Sequence, residues 1–153
     1  MELQPLRVEE VARDVLAMVR GNAIAQGIAV DLSLAPDLPP VRADRVQLSQ
    51  VLLNLVVNAM EAVCAPGVGE RRVRIQAQHD GSGRVEVAVV DSGTGIPAAM
   101  MPRLFDAFVT TKQAGLGIGL ALSRTIVQAH GGELQAQNNA GAGATVRFTL
   151  EAC

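Results

Sequence analysis

Two short stretches of this chain have the residue types to do chemistry: Asp91-Ser-Gly-Thr-Gly-Ile96-Pro97 and, further on, Gly115-Leu116-Gly117-Ile118-Gly119-Leu120. In the first, a carboxylate ends an apolar strand and is followed by Gly93 and Gly95, which lack a Cβ and let backbone approach a flat ligand. Such a carboxylate can accept a hydrogen bond from an exocyclic amine, as on adenine. Taken alone, Asp91 is more simply a turn aspartate bonded to its own backbone. In the second stretch three glycines lead into Leu120-Ala-Leu-Ser-Arg-Thr-Ile-Val127, a good helix sequence, so the first amides of that helix are open to anions. A glycine triplet by itself often marks only a flexible loop, and here no Walker lysine-serine pair follows. The two stretches together read as a nucleotide site.

A third group lies between Ala43 and Cys64, where the pattern is helical. Gln47, Gln50, Asn54, Asn58 and Glu61 recur at steps of three or four and share one face, while Leu48, Leu52, Leu55, Ala59 and Ala62 form an apolar stripe. A merely solvated face would carry Lys, Arg and Glu. Asparagine costs roughly half a kcal/mol or more against alanine inside a helix, so two of them a turn apart call for a reason. Amide oxygens facing a cavity with phosphate and magnesium are such a reason, because magnesium takes oxygen ligands and often only one or two from protein. Asn58 is the candidate ligand.

From Pro102 to Gly115 the chain fits neither the helical nor the strand period. A connection that long is usually a functional lid or disordered, and Leu104-Phe105-Asp-Ala-Phe108-Val-Thr110-Thr111-Lys112 is too apolar for simple disorder. A lid that packs part of the time is expected. Phe105 and Phe108 are more simply core residues; Thr110, Thr111 and Lys112 either form a solvated edge or bring hydroxyls and a cation to a terminal phosphate. His79 and His130 have no partner pattern for metal or nucleophilic work.

The elements that must position these groups alternate in type. Val8 to Arg20 has helical spacing, with Gly21 as its stop; Ile28 to Leu34 alternates as a strand. Arg72 to His79 and Arg84 to Val90 form a hairpin, Gly117 to His130 a last helix, and Glu133 to Asn138 with Thr145 to Leu150 a second hairpin. Arg72, Arg74, Gln76, Glu86, Gln135, Gln137, Arg147 and Thr149 take the alternate strand positions, which leaves one sheet face wet. The expected fold is a two-layer α/β sandwich, a mainly antiparallel sheet with helices on one face.

Composition narrows the classes. With 153 residues the chain is about one domain. Its charges nearly balance and its arginines are scattered, so there is no basic footprint for nucleic acid. Tryptophan and tyrosine are absent, which removes stacking platforms for single strands. Cys64 and Cys153 make no disulfide framework and have no metal spacing, so a reducing, cytoplasmic setting is expected. The most apolar run, Val51 to Val57, is short and interrupted by Asn54; no membrane contact is expected of this domain.

The motifs resemble those of sensor histidine kinases. Leu48-Ser-Gln-Val-Leu-Leu-Asn54-Leu-Val-Val-Asn58-Ala is similar to the N box, Asp91-Ser-Gly-Thr-Gly95 to the G1 box, Leu104 to Lys112 to the F box and Gly115 to Leu120 to the G2 box. Gly141-Ala-Gly-Ala-Thr145 resembles the closing glycine-threonine strand, and the wording is most similar to the subgroup with oxygen- and nitrogen-regulation sensors. The resemblance implies the ATP-binding Bergerat fold of the gyrase, Hsp90, histidine kinase and mismatch-repair superfamily, across residues 1–153 with 1–7 as a junction from a dimerisation domain absent here.

By position, the resemblance makes Asn58 the magnesium ligand, Asp91 the adenine acceptor and Asn54 a second polar contact. Gly93, Gly95 and Ile96 would lie at the base, Gly115, Leu116, Gly117, Ile118, Gly119 and Leu120 at the phosphates, and Phe105, Thr110, Thr111 and Lys112 in the lid, with Thr145 on the closing strand. ATP-hydrolysing relatives carry a glutamate one turn before the metal asparagine; Asn54 stands there and cannot take a proton, so hydrolysis is expected to be poor. No phosphoacceptor box, His-Glu-Asn or His-Glu-Pro, occurs in the chain. The implied reaction is transfer of the γ-phosphoryl of Mg-ATP to a histidine of a dimerisation domain and onward to a response regulator. The domain by itself is expected to be a monomer, in a parent open to membrane anchoring. Two other readings stay open: a stand-alone serine kinase of the anti-sigma type, and a regulatory module that binds nucleotide without transfer.

Overall fold

The structure, a computed structural model, describes residues 1–106 and 117–153, and for 117–119 the backbone alone. In chain order the elements are β1 (Gln4–Leu6), α1 (Val8–Ala25), β2 (Ala29–Leu34), β3 (Val41–Ala43), α2 (Arg45–Val63), β4 (Arg72–His79), β5 (Arg84–Asp91), a 3-10 turn (Met101–Arg103), α3 (Gly117–Ala129), β6 (Leu134–Asn138) and β7 (Ala144–Glu151). A five-stranded sheet runs β2-β4-β5-β7-β6, with β2 parallel to β4 and the other pairs antiparallel. The sandwich expected from the strand patterning is the observed architecture.

Alternation along the strands sends Val73, Ile75 and Ala77, Val85, Val87 and Val89, and Phe148 and Leu150 into the core. Phe148 is fully buried and sits in register between Val87 and Leu134. The opposite positions stay polar and paired at the surface, as in Arg74 to Asp31 at 2.8 Å and Arg147 to Gln135 at 3.4 Å. On the covered face α2 buries Leu48, Val51, Leu52, Leu55, Val56, Ala59 and Met60. By length and mean hydropathy α2 also satisfies the criteria for a membrane span. Those buried residues belong to the domain core, against which α1 buries Val8, Val11, Val15 and Val19, while Val46 at the start of α2 is exposed.

Two details depart from the sequence expectations. Helix α1 does not stop at Gly21 but runs to Ala25, because Val19 and Ala23 are both buried and their burial outweighs the helix cost of one glycine. Gly27, with φ 68°, makes the actual stop, and Ile28 N–H closes onto the Ala23 carbonyl at 2.8 Å. In addition, residues 4–6, within the segment expected to be a junction, form β1 and pair antiparallel with β3. Three-residue strands carry too little periodicity to be seen in sequence.

Helix α2 starts at Asp44, whose Oδ1 accepts the Gln47 N–H at 3.0 Å while Oδ2 accepts the Glu2 N–H at 2.8 Å. His130, buried at the end of α3, accepts the Asp44 backbone N–H on Nε2 at 3.1 Å and donates from Nδ1 to the Ile126 carbonyl at 2.7 Å. One aspartate thus ties the N-terminal segment, α2 and α3 together. The backbone donors of Gln47, and then Glu2, hold its carboxyl below the ordinary value of 3.8. A lowered carboxyl stabilises the fold above that ordinary value and stops doing so as pH falls through the lowered one. In urea titrations the stability gap between wild type and Asp44→Ala should be full above pH 3.8 and close at lower pH. Phe148→Ala should cost about 3–5 kcal/mol at any pH in the same titrations.

Candidate nucleotide site

The site grows from the end of β5. Continuing the inward series Val85, Val87, Val89, strand alternation directs Asp91 toward the helix layer, where it is buried to 9% exposure. Its Oδ1 accepts the Gly93 N–H at 2.9 Å and the Ala144 N–H at 3.2 Å. The first bond is the turn aspartate anticipated from sequence; the second, from the start of β7, fixes the carboxylate relative to the sheet. The turn reading of Asp91 is thus observed, and a carboxylate has capacity for further donors.

Gly93 brings this strand end against α2. A Cβ built on Gly93 would lie 2.7 Å from both the backbone C and O of Ala62, so only glycine fits. Ala62 stands one turn after Asn58 and two after Asn54, both half-buried. The Asp91 loop thus meets α2 at Ala62, one turn from Asn58. Ser92 secures the same loop from the other side: its Oγ donates to the Glu70 carbonyl at 2.7 Å and accepts the Arg72 N–H at 2.9 Å.

Gly95 takes φ 80°, a left-handed conformation, and a Cβ there would come within 2.9 Å of the Asn138 Oδ1. Gly143, at φ 86°, leaves no room at all, for its Cβ would overlap the Asp91 carbonyl oxygen at 1.9 Å. Phe105 packs against the core, as the plainer expectation had it, with the Arg124 guanidinium of α3 over its ring at 6.0 Å. Leu120 also packs on the core, and the backbone of Gly117, Ile118 and Gly119 forms the first turn of α3.

Not every expected residue joins the group. Thr145 pairs with Val90 in the outward-facing register of Arg147 and Thr149, and its hydroxyl donates to the Asn139 Oδ1 at 2.6 Å. It braces Asn139 instead of facing α2. Phe108, Thr110, Thr111, Lys112, Gly115 and Leu116 lie outside the described residues. Among the described residues no group of three or more His, Cys, Asp or Glu is placed to hold a metal. Sequence reasoning missed Asn138 and Asn139, which reach the Asp91 loop from β6; their one signal, an asparagine pair beside a glycine turn, reads equally well as hairpin chemistry.

Residues 43–152 match the family described as histidine kinase-, DNA gyrase B-, and HSP90-like ATPase. The sensor protein FixL of Bradyrhizobium diazoefficiens is 40% identical over 95% of this chain, which spans 29% of FixL's length. The signal transduction histidine-protein kinase AtoS of Escherichia coli K12 is 35% identical over 96% of the chain, which spans 23% of it. Among solved structures, the catalytic domain of histidine kinase ThkA superposes with a TM-score of 0.87 at 31% identity, covering 99% of this chain and 97% of that one. Full-length ShkA in complex with AMPPNP gives 0.86 at 30% identity, with 100% of this chain and 32% of that one covered.

Gly143→Ala should destabilise the domain severely in urea titrations and displace Asp91, whereas Gly141→Ala, where an added Cβ meets nothing within 4 Å, should leave stability within about 0.5 kcal/mol. Equal midpoints for the two would contradict the close approach. With the Asp91 strand end packed on the asparagine helix and the sandwich shared with solved catalytic domains, the chain belongs to the histidine kinase-, DNA gyrase B- and HSP90-like ATPase family, on its sensor histidine kinase branch.

Proposed function

We propose that the chain binds Mg-ATP between α2 and the loop after β5 and serves as the phosphoryl donor half of a sensor histidine kinase. The observation that carries this is the contact of Gly93 with Ala62, which sets a buried carboxylate beside the helical turn of Asn58. In this reading Asp91 accepts the adenine exocyclic amine, and Gly93 and Gly95 let the backbone lie close to the base. The bound AMPPNP of ShkA, an ATP analogue, supports a nucleotide on this fold.

Asn58 supplies an amide oxygen to magnesium, whose chemistry at such a site is to neutralise phosphate charge. Asn54, an amide where a base for water would stand, leaves the domain poor at hydrolysis and suited to transfer. The protein's work is positioning: it orients the γ-phosphoryl for a histidine nitrogen on a dimerisation domain, and ADP leaves. Thr110, Thr111 and Lys112 complete the lid in this proposal, and Gly115, Gly117 and Gly119 the phosphate contacts. A response regulator is the onward acceptor; ThkA has been solved in complex with its response regulator TrrA.

Titration calorimetry tests the pocket. Asp91→Ala should weaken Mg-ATP by a factor of ten or more, about 1.4 kcal/mol, while His79→Ala at a strand end should leave it unchanged. Asn58→Ala should weaken ATP with magnesium present and matter little in EDTA; the same loss in both conditions would remove Asn58 from the metal. Labelled ATP mixed with an acceptor-bearing dimerisation fragment should label its histidine, and binding without label would favour a regulatory module.

A further inference from the structure

Strand β6, the sheet edge, ends at Asn138 and is followed by Asn139, and both side chains reach across to the end of β5 and the loop after it. Asn138 accepts the Ile96 N–H on Oδ1 at 2.7 Å and donates from Nδ2 to the Ile96 carbonyl at 2.9 Å. One planar amide therefore satisfies both backbone polar groups of Ile96, as a neighbouring strand would. Asn139 donates from Nδ2 to the Asp91 carbonyl at 3.0 Å, and its Oδ1 is held by the Thr145 hydroxyl at 2.6 Å. Adjacent residues at the end of β6 thus grip the chain at Asp91 and at Ile96, with glycines between them that could otherwise take many conformations.

We propose that Asn138 is a positioning residue for base recognition. By holding the Gly95–Ile96 backbone at a set distance from Asp91, it keeps the loop's donors and acceptors in the arrangement that takes adenine and refuses guanine. The inference rests on the reading of Asp91 as the adenine acceptor. An amide is the fitting side chain here: alanine pairs with neither group, and aspartate would set a carboxylate oxygen against the Ile96 carbonyl. Without the grip the loop must be ordered each time nucleotide binds, which lowers affinity at the base end and leaves the phosphate end alone.

The test is calorimetry of this chain with Mg-ATP, Mg-ADP and Mg-GTP, on Asn138→Ala, Asn138→Asp and the neighbouring control Gln137→Ala, with melting curves for each. Both Asn138 variants should lose about tenfold for ATP and for ADP alike, and their preference for ATP over GTP should narrow, while Gln137→Ala binds as wild type does. Should Asn138→Ala not fold, the isosteric Asn138→Asp carries the measurement. Unchanged ATP affinity in a folded Asn138 variant overturns the proposal, and so does a loss that leaves the ATP-over-GTP preference intact, which would mark Asn138 as structural only. Failure of wild type itself to bind ATP overturns the pocket reading beneath it, and that outcome is distinct from the other two.

Discussion

A side chain on Gly93 would strike the backbone of Ala62, and the absence of one lets the end of β5 lie directly on α2. Everything else in the site follows from that contact. It sets the Asp91 loop against α2 one turn from Asn58, and it forces the chain to leave the sheet immediately, since a strand cannot continue through a helix. The loop that results has to turn on glycines, and Gly95 at φ 80° does so. Its shape is then held from one side by the bond of Ser92 to Arg72 of β4 and from the far edge by Asn138 and Asn139 at the end of β6.

The domain spends little of its core on this region. Its stability comes from the valine and leucine layer between the sheet and the α1–α2 pair, while Asp91 and its loop sit at the strand end and are held by hydrogen bonds. Such a division suits a nucleotide site: the rigid layer fixes where α2 and β5 are, and short polar bridges fix the backbone between them. Asp44 and His130 play the corresponding part at the opposite end of α2, where one cap residue joins the N-terminal strand to both helices.

Much of this was legible without coordinates. The helical seam of Asn54 and Asn58, the inward valines of β5 and the turn glycines all follow from periods of 3.6 and 2 that a short window of sequence displays. The turn-forming role of Asp91 was visible as well. What was not legible were β1 and β3, too short to show a period, the true end of α1, decided by the burial of Ala23, and the reach of Asn138 to Ile96 across 42 residues. Thr145, grouped with the site on motif grounds, turns outward to hold Asn139 because it falls one register position from the inward Ala144.

The sequence by itself determined the elements, the chemical inventory and the order of the motifs, because side-chain period and glycine's freedom at positive φ are properties of neighbours along the chain. Only the tertiary structure decided which motifs touch and which side chains brace others. That depends on the strand order β2-β4-β5-β7-β6, which sets the ends of β6 and β7 beside the end of β5 and directs their polar groups across gaps no local pattern encodes.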